Sequence, residues 1–149
     1  MKNTDFEIVK YTDRFKDQLL VTWENSVLAT HTFLKNDDFL SIKEIVKTID
    51  FNALDVYCLV KNNELAGFLG VFEQKIEMLF LSPSYIGKGL GRKLMDFAMT
   101  ELKAYKVDVN EQNQNALKFY QKFGFKTYER TEKDDQGKDY PLLRMRIDK

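Results

Sequence analysis

Cysteine and histidine are almost absent from this chain, whose 149 residues contain one of each, Cys58 and His31. A single cysteine excludes an intramolecular disulfide and a cysteine-rich metal site, and it is consistent with a reducing compartment. We therefore expect no bound metal. Cys58 alternates with apolar neighbours along a predicted strand, so we expect it to lie in the core rather than to react.

An excess of charge of one sign is also missing, because 23 basic and 23 acidic residues give a formal net charge of zero. No global field draws such a chain to nucleic acid or to a membrane surface, so any anion site has to be local. No apolar run reaches the roughly 18 residues of a membrane span, and the polar N-terminus carries no signal sequence. We predict a cytoplasmic protein with neither a nucleic-acid nor a membrane partner.

The sequence contains no internal repeat, no low-complexity tract and no linker rich in proline, glycine or serine. Its length predicts one domain, residues 1–149, that is long enough to bury a full core. Twelve phenylalanines and seven tyrosines supply large apolar surfaces for that core.

Alternating and helical hydrophobic patterns predict eleven elements in the order β-α-α-β-β-β-α-β-α-β-β. Thr12-Asp13 and Asn36-Asp38 are expected to cap the first two helices. The fold class is therefore α/β, a mixed and mostly antiparallel sheet with helices on both faces. The predicted strands are 6–11, 54–60, 65–72, 74–81, 105–110, 125–130 and 140–147, with the fourth and fifth parallel.

The stretch 75–92, KIEMLFLSPSYIGKGLGR, joins the fourth strand to the third helix. Gly87, Gly89 and Gly91 alternate there, and alternate glycines allow a backbone to approach a phosphate at a helix N-terminus. A P-loop is excluded because no GxxxxGK[ST] string follows a strand. A dinucleotide fingerprint fits poorly, since the third glycine comes one position early and no acid ends the next strand in the expected setting.

Two motifs resemble the GNAT superfamily of N-acetyltransferases. Residues 86–91, IGKGLG, resemble its [QR]-x-x-G-x-[GA] loop, with Ile86 in place of the usual Gln or Arg. Residues 109–125 resemble N-x-x-A-x-x-F-Y-x-x-x-G-F. The matching residues of this second motif are Asn113, Ala116, Phe119, Tyr120, Gly124 and Phe125.

These motifs and the strand pattern around them extend the resemblance over about residues 54–147. The segments ATHTFL and DDQGKDYPLL further resemble small bacterial YjaB-like members of the superfamily. The resemblance implies the GNAT acyl-CoA N-acyltransferase fold. It also implies acetyl-CoA as the acetyl donor.

The resemblance implies that the glycine loop binds the CoA pyrophosphate through backbone N–H groups. Lys88 or Arg92 could add charge, and Ile86 costs a side-chain contact but no backbone contact. A bulge in the fourth strand is expected to free backbone groups from Leu79 to Leu81 for the thioester and the pantetheine arm. The expected CoA-binding residues are Leu79, Phe80, Leu81, Ile86, Gly87, Lys88, Gly89, Leu90, Gly91, Arg92, Asn113 and Tyr120.

The resemblance makes Tyr120 the general acid for the leaving thiolate, although its place on an apolar helix stripe also suits a packed ring. Glu77 is the candidate base, because it is the only acid in its strand and is expected to share a strand face with Leu79 and Leu81. A solvated structural acid is the alternative. Asn113 could cap its helix, contact pantetheine, or do both.

The acceptor-site candidates are His31, Trp23, Phe33 and Tyr140. His31 lies between two helices where the family keeps its acceptor pocket, and it could order the acceptor or act as a base. A lone loop histidine also serves as an ordinary polar contact, and aromatic residues also serve as core. No ligand cluster accompanies His31, so a metal is not expected.

The expected function is direct transfer of acetyl from acetyl-CoA to a primary amine in a ternary complex. The acceptor is either a protein lysine or N-terminus, or a small-molecule amine such as a polyamine or an antibiotic. The alternative from another class is a non-catalytic acyl-CoA-binding sensor on the same fold. A nucleotide-binding module would instead prefer ATP or NAD, and a homodimer is common in the family.

Overall fold

The computed structural model describes residues 5–148, which contain seven strands in one sheet and four α-helices. The strands are β1 (Glu7–Lys10), β2 (Asp55–Lys61), β3 (Glu64–Phe72), β4 (Lys75–Leu81), β5 (Lys106–Asn110), β6 (Lys126–Thr131) and β7 (Leu142–Arg146). The helices are α1 (Lys16–Thr30), α2 (Asn36–Lys47), α3 (Leu90–Thr100) and α4 (Gln114–Lys122). This order of elements confirms the order predicted from the hydrophobic patterns.

The sheet has the strand order β1-β2-β3-β4-β5-β7-β6. All neighbouring strands are antiparallel except β4 and β5, which are parallel, as predicted. Parallel neighbours need a crossover connection, which α3 and the turns around it provide.

Side chains on alternate strand positions build a core on each face of the sheet. Val56 and Cys58 of β2 pack with Leu19 and Phe39 of α1 and α2. Leu59, the next residue of β2, packs on the other face with the core that contains Leu94 of α3. Helices therefore cover both faces, as the sequence predicted, and Cys58 is fully buried in the core.

The predicted helix caps differ from the observed ones. Thr12 precedes a short 3-10 turn, Asp13–Phe15, and its side chain makes no capping hydrogen bond. The first α-helix starts one turn later than the cap suggested. Lys35, with no side-chain cap, precedes α2, so Asn36 is the first helical residue rather than the cap. α4 ends at Lys122, shortly before Gly124, whose φ of 94° lies in the left-handed region that glycine tolerates.

Candidate active site

The strands β4 and β5 pair at two positions and then separate. Lys75 pairs with Lys106 and Ile76 with Val107, and no further pair joins the two strands among residues 5–148. On its other edge β4 carries a bulge, because Gly70 faces Met78 whereas Val71 faces Ile76, which leaves Glu77 unpaired in the ladder with β3. An extra residue bends and twists a strand, so the bulge accounts for the divergence that follows it.

The divergence opens a gap that we call the β4–β5 cleft, consisting of two adjoining hollows of about 210 and 220 Å³. Both hollows are lined by His31, Leu79, Phe80, Asn113, Ala116 and Tyr120. Each hollow is smaller than the roughly 300–1,000 Å³ of a pocket that encloses a drug-sized ligand. Because they adjoin, the two hollows form one opening between the strands.

Backbone groups of β4 face this cleft. The Ser82 N–H donates to the Ala66 carbonyl at 2.8 Å, so these two residues form a hydrogen-bonded pair between β4 and β3. The pairs two and four residues further along are Phe80 with Phe68 and Met78 with Gly70, and they are hydrogen-bonded pairs as well. In an antiparallel ladder the intervening residues direct their N–H and C=O groups away from the partner strand. The backbone groups of Leu79 and Leu81 therefore point from β3 into the cleft.

The glycine loop, residues 86–92, follows a 3-10 turn, Pro83–Tyr85, and includes the first three residues of α3. Gly87 and Gly89 have φ values of 82° and 80°, and Gly89 is the N-cap of α3. The Lys93 N–H donates to the Gly89 carbonyl, so the N–H groups just before Lys93 have no acceptor within the helix. The first turn contains no acid that would compete for an anion.

The other residues of the glycine loop differ in what they offer. Lys88 is exposed, and Arg92 is exposed with its guanidinium 5.5 Å from the centre of the Phe123 ring. Leu90 is buried in the core, so it contributes its backbone rather than its side chain. At Gly91 a Cβ atom would lie 3.2 Å from the Phe119 ring, which shows how closely α3 and α4 pack here. Ile86 is 45% exposed and lines the larger hollow.

Tyr120 lies on α4 with its ring 5.2 Å from Phe119 and 5.8 Å from Phe125, measured between ring centres. Its side chain is buried but lines both hollows of the cleft. Burial raises the pKa of the Tyr120 hydroxyl above its ordinary value. The hydroxyl therefore keeps its proton at neutral pH and can donate it to a group in the cleft.

Asn113 is the N-cap of α4, and its side-chain oxygen accepts a hydrogen bond from the Ala116 N–H at 3.2 Å. It also lines both hollows of the cleft. The capping role proposed from the sequence is thus present, and the remaining polar atoms of its amide lie beside the cleft.

Glu77 does not share a strand face with Leu79 and Leu81, as alternation predicted. Leu79 and Leu81 pack toward the α3 side of the sheet. Glu77 instead lies 3.7 Å from the Lys75 ammonium and lines a hollow on the α2 side together with Ile42. It also lines the smaller hollow of the β4–β5 cleft. The expectation is wrong because the extra residue of the bulge shifts the alternation by one position. The Glu77 side chain is 38% exposed.

His31 is the C-cap of α1 and is partly buried at the edge of the cleft. Its Nδ1 lies 2.8 Å from the Thr30 hydroxyl, and its ring centre lies 5.4 Å from that of Phe33. Burial lowers the pKa of the imidazole, so His31 is neutral at pH 7.

A further hollow, about 180 Å³, lies on the α2 side and is lined by Trp23, His31, Phe33, Phe80 and Tyr140. We call it the acceptor pocket. All four acceptor-site candidates from the sequence therefore meet in one place. Trp23 is mainly core, since it is 5% exposed and its ring stacks on Phe39 at 5.8 Å.

Tyr140 closes the far side of the acceptor pocket through a polar cluster. Its hydroxyl donates to Asp38 at 2.5 Å and accepts from the Lys35 N–H at 3.0 Å. The Lys138 ammonium contacts the same carboxylate at 2.9 Å. The Tyr140 and Lys138 hydrogen bonds lower the pKa of Asp38, and this cluster holds the loop before β7 against the start of α2.

Sequence reasoning missed three residues beside the site, Thr30, Lys75 and Asp108. Asp108 of β5 contacts Lys75 at 2.7 Å and Arg144 at 2.6 Å, directly beside Glu77. Strand register brings these charges together, and no spacing along the chain signals it. Thr30 is adjacent to His31, yet a threonine at a helix end is too common to mark a site.

Among residues 5–148, no group of three or more His, Cys, Asp or Glu side chains is placed to hold a metal ion. Within the same residues, every helix is too short or too polar to span a bilayer.

Comparison with known proteins gives one family. The sequence pattern of the acetyltransferase (GNAT) domain matches residues 15–149. The chain is 36% identical over 129 residues to the peptidyl-lysine N-acetyltransferase YjaB of Salmonella typhimurium, with 87% of this chain and 89% of the relative covered.

Solved structures agree with the sequence match. The solution structure of the apo form of Escherichia coli YjaB superposes with a TM-score of 0.87 at 32% identity, covering 95% of this chain and 97% of that one. A PaiA N-acetyltransferase of Thermoplasma acidophilum, solved in complex with coenzyme A, has a TM-score of 0.70 at 20% identity over 95% of this chain and 99% of that chain. The second match bears on the fold alone.

Proposed function

This chain belongs to the GNAT family of acetyltransferases, and we propose that it transfers acetyl from acetyl-CoA directly to the side-chain amine of a protein lysine. The observation that carries the proposal is the β4–β5 cleft, where free backbone groups, a protonated tyrosine and a glycine loop converge. Fully buried Cys58 has a pKa raised by burial to about 12, which argues against an acetyl-cysteine intermediate.

The glycine loop fits the pyrophosphate of acetyl-CoA. The N–H groups of Gly87 to Arg92 lie at the start of α3, where the helix dipole adds partial positive charge. Lys88 and Arg92 are exposed beside it and can add charge. Ile86 offers no side-chain hydrogen bond, so the grip on pyrophosphate rests on the backbone of this loop.

The backbone of Leu79 and Leu81 supplies the next contacts. Their C=O and N–H groups face the cleft, in which they can pair with the amide groups of the pantetheine arm as a neighbouring strand would. One of these N–H groups can also donate to the thioester oxygen, which becomes more negative during attack. Asn113 lies on the opposite wall of the cleft.

Tyr120 is proposed as the general acid. When the amine attacks the thioester carbon and the C–S bond breaks, the sulfur leaves as a thiolate that needs a proton. The Tyr120 hydroxyl is protonated at neutral pH, since an unperturbed tyrosine has a pKa of about 10 and burial raises the pKa of Tyr120 further. It lines the hollow that the thioester would enter.

Glu77 is proposed for the acceptor end. A lysine amine is cationic at neutral pH, and the Glu77 carboxylate on the α2 side of the cleft attracts it. Because that side chain is 38% exposed and lies 3.7 Å from Lys75, water and the Lys75 ammonium both screen its charge. The pH profile of the Glu77→Gln variant distinguishes attraction of the ammonium from acceptance of its proton, because only loss of the base makes kcat/KM rise with pH.

A protein lysine is preferred to a small amine for one reason outside the cleft. The Salmonella relative, 36% identical over 87% of this chain, is named as a peptidyl-lysine N-acetyltransferase. Phe33 and Tyr140 of the acceptor pocket provide apolar walls that can hold the aliphatic stem of a lysine while Glu77 attracts its charge.

The test combines binding with turnover. Acetyl-CoA at about 100 times its Kd should stabilise the fold by about 2.7 kcal/mol, and ATP or NAD should not. Lysine peptides should then release free CoA thiol and gain an acetyl group by mass spectrometry. Turnover of a polyamine or an aminoglycoside, with no turnover of any peptide, would show that the acceptor is a small amine and not a protein lysine.

The rival function is a non-catalytic acyl-CoA sensor on the same fold. It predicts the thermal shift with acetyl-CoA but no thiol release with any peptide or small amine. The retention of Tyr120 and Glu77 at the cleft favours the enzyme. A cytoplasmic location and a homodimer are also proposed; fractionation of cells and light scattering of the purified protein test them.

A further inference from the structure

Thr30 makes two hydrogen bonds that together fix the chemistry of the neighbouring imidazole. Its Oγ1 donates to the Ser26 carbonyl at 2.7 Å, one helical turn earlier in α1. The same Oγ1 lies 2.8 Å from Nδ1 of His31. A hydroxyl has one proton, and the Ser26 carbonyl, which has none to give, takes it.

The Thr30 oxygen can therefore act toward His31 as an acceptor alone. Nδ1 must then carry the proton, and in a neutral imidazole the other nitrogen, Nε2, is left with a free lone pair. This assignment follows from the two contacts of Thr30 and needs no ligand. In residues 5–148 no side chain or backbone group hydrogen-bonds to Nε2.

The surroundings of His31 place its side chain where an acceptor amine would enter. His31 lines both hollows of the β4–β5 cleft and the acceptor pocket, so it stands at their junction. Burial lowers the pKa of the ring, which keeps it neutral at pH 7. The titratable groups that face it across these hollows are Glu77, Asp108, Tyr120, Asp134 and Tyr140.

We propose that His31 is the general base of the reaction, through Nε2, and that Thr30 is a positioning residue that holds the required tautomer. The proposal rests on the proposed acetyl transfer. A lysine ammonium first gives one proton to Nε2, which passes it to solvent, and the neutral amine then attacks the thioester carbon. As the C–S bond breaks, the nitrogen gives its second proton to Nε2, which has already released the first to solvent. Tyr120 gives its proton to the CoA sulfur and regains one from solvent.

The tautomer can be measured without turnover. Because His31 is the only histidine in the sequence, ¹⁵N spectra of histidine-labelled protein without a purification tag contain one imidazole. We expect Nδ1 to be protonated and Nε2 unprotonated at neutral pH. A proton on Nε2 instead would overturn the proposal, whatever the protein acetylates.

Variants of Thr30 test the positioning role. Thr30→Val keeps the shape but cannot accept the hydrogen bond, so the tautomer should become mixed and kcat/KM should fall about tenfold, as for one lost hydrogen bond. Thr30→Ser should restore both. Thr32→Val is the matched control, since Thr32 is exposed in the same segment. Equal losses in the Val and Ser variants would refute the role of the hydroxyl.

The pH dependence identifies the base. With His31 as base, kcat/KM should be flat between about pH 7 and 9, because the base is neutral and the amine protonated throughout. In His31→Gln it should fall about a hundredfold at pH 7 and rise with pH as free amine accumulates. If Glu77→Gln shows that rise and His31→Gln does not, the base is Glu77 and the proposal is wrong.

Failure of the proposed function would look different. An unchanged thermal shift with acetyl-CoA in all these variants, together with a wild-type protein that acetylates no amine, would refute both the proposed acetyl transfer and the role of His31 as base. Normal wild-type turnover with an unaffected His31→Gln variant would refute only the role of His31 as base.

Discussion

The two ends of the β4–β5 cleft differ in the groups that form them, which are backbone groups at one end and side chains at the other. The end proposed to bind acetyl-CoA, the donor end, consists of backbone, namely the glycine loop at the start of α3 and the free N–H and C=O groups of Leu79 and Leu81. The end proposed to bind the amine, the acceptor end, consists of side chains from α1, α2 and the loop before β7, held by hydrogen bonds and ion pairs such as the Asp38–Tyr140 contact.

This difference explains why the two ends depend so differently on sequence. A backbone site is set by φ angles and strand register, so we expect it to tolerate Ile86 where a Gln or Arg is usual in the family. A side-chain site changes with each substitution. A family can thus keep one cosubstrate while its acceptor varies.

Tyr120 lies between the two ends, and removing its hydroxyl should have the largest effect. Tyr120→Phe keeps the buried ring but leaves the thiolate without a proton donor, so kcat should fall about a hundredfold. The Kd for acetyl-CoA, from thermal shift, should stay within a factor of about two of the wild type because the backbone contacts remain.

Tyr128→Phe is the control, since Tyr128 is 45% exposed on β6 and lines neither hollow. An unchanged kcat in Tyr120→Phe would show that Tyr120 is not the general acid and that its ring serves for packing alone.

The backbone nature of the donor end can be tested with two glycines. Gly87 and Gly124 both have positive φ, 82° and 94°, and within residues 5–148 a Cβ added at either would meet no atom beyond its chain neighbours within 4 Å. Replacing either with Ala should cost about 1–2 kcal/mol of stability through the same strain. Gly87→Ala alone should also weaken acetyl-CoA binding about tenfold, since a shifted N–H loses its hydrogen bond.

Urea unfolding and acetyl-CoA titration of the two Ala variants separate these effects. Equal losses of affinity in both would mean that the glycine loop binds no phosphate.

Ile86 offers a gain-of-function test of the same end. Ile86→Arg adds a cation near the start of α3, where Ile86 is 45% exposed, so acetyl-CoA should bind about threefold tighter at low salt. The gain should shrink as salt is added. Ile86→Gln is a useful partner, because it adds hydrogen-bonding capacity without charge. A gain in affinity for acetyl-CoA that does not change with salt concentration would show that charge is not its cause.

The smallest effect is expected at the acceptor end and depends on pH. The Tyr140 hydrogen bond is the main cause that lowers the pKa of the Asp38 carboxyl in the folded state. Its stabilising contribution is therefore complete above the unfolded pKa of about 3.9 and is lost as pH falls through the lower folded pKa. Tyr140→Phe should lower Tm at pH 7, and the difference from wild type should narrow in acid.

Thermal melts at neutral and acid pH, with Tyr128→Phe as the control for losing an exposed hydroxyl, measure this effect. A Tm difference that is the same at both pH values would exclude the contribution of Asp38.

Most of the fold could be predicted from local pattern. Hydrophobic patterns, such as the helical spacing in α3 and α4, predict the elements in their observed order, because each element buries an apolar face. The helix starts were less predictable. Thr12 and the Asn36 segment look like caps, yet packing of Phe15 and Phe39 into the core takes precedence over an exposed capping hydrogen bond.

The sequence predicted one end of the site better than the other. Gly87, Gly89 and Asn113 were recognisable because glycine angles and a helix cap are local features with residue-specific signals. The place of Glu77 was predicted wrongly, since a bulge depends on how β4 pairs with β3 and leaves no mark in the sequence of β4 alone. The pairing of Asp108 with Lys75 likewise needs the register of two strands.

The sequence by itself thus determined the family, the order of elements and the position of the glycine loop, all of which follow from short-range geometry. The tertiary structure was needed to show that β4 and β5 separate after two pairs, that Glu77 turns toward α2, and that Thr30 contacts His31 at the cleft. These features depend on contacts between residues far apart in the chain or on where its elements end. Hydrophobic periodicity carries no information about either.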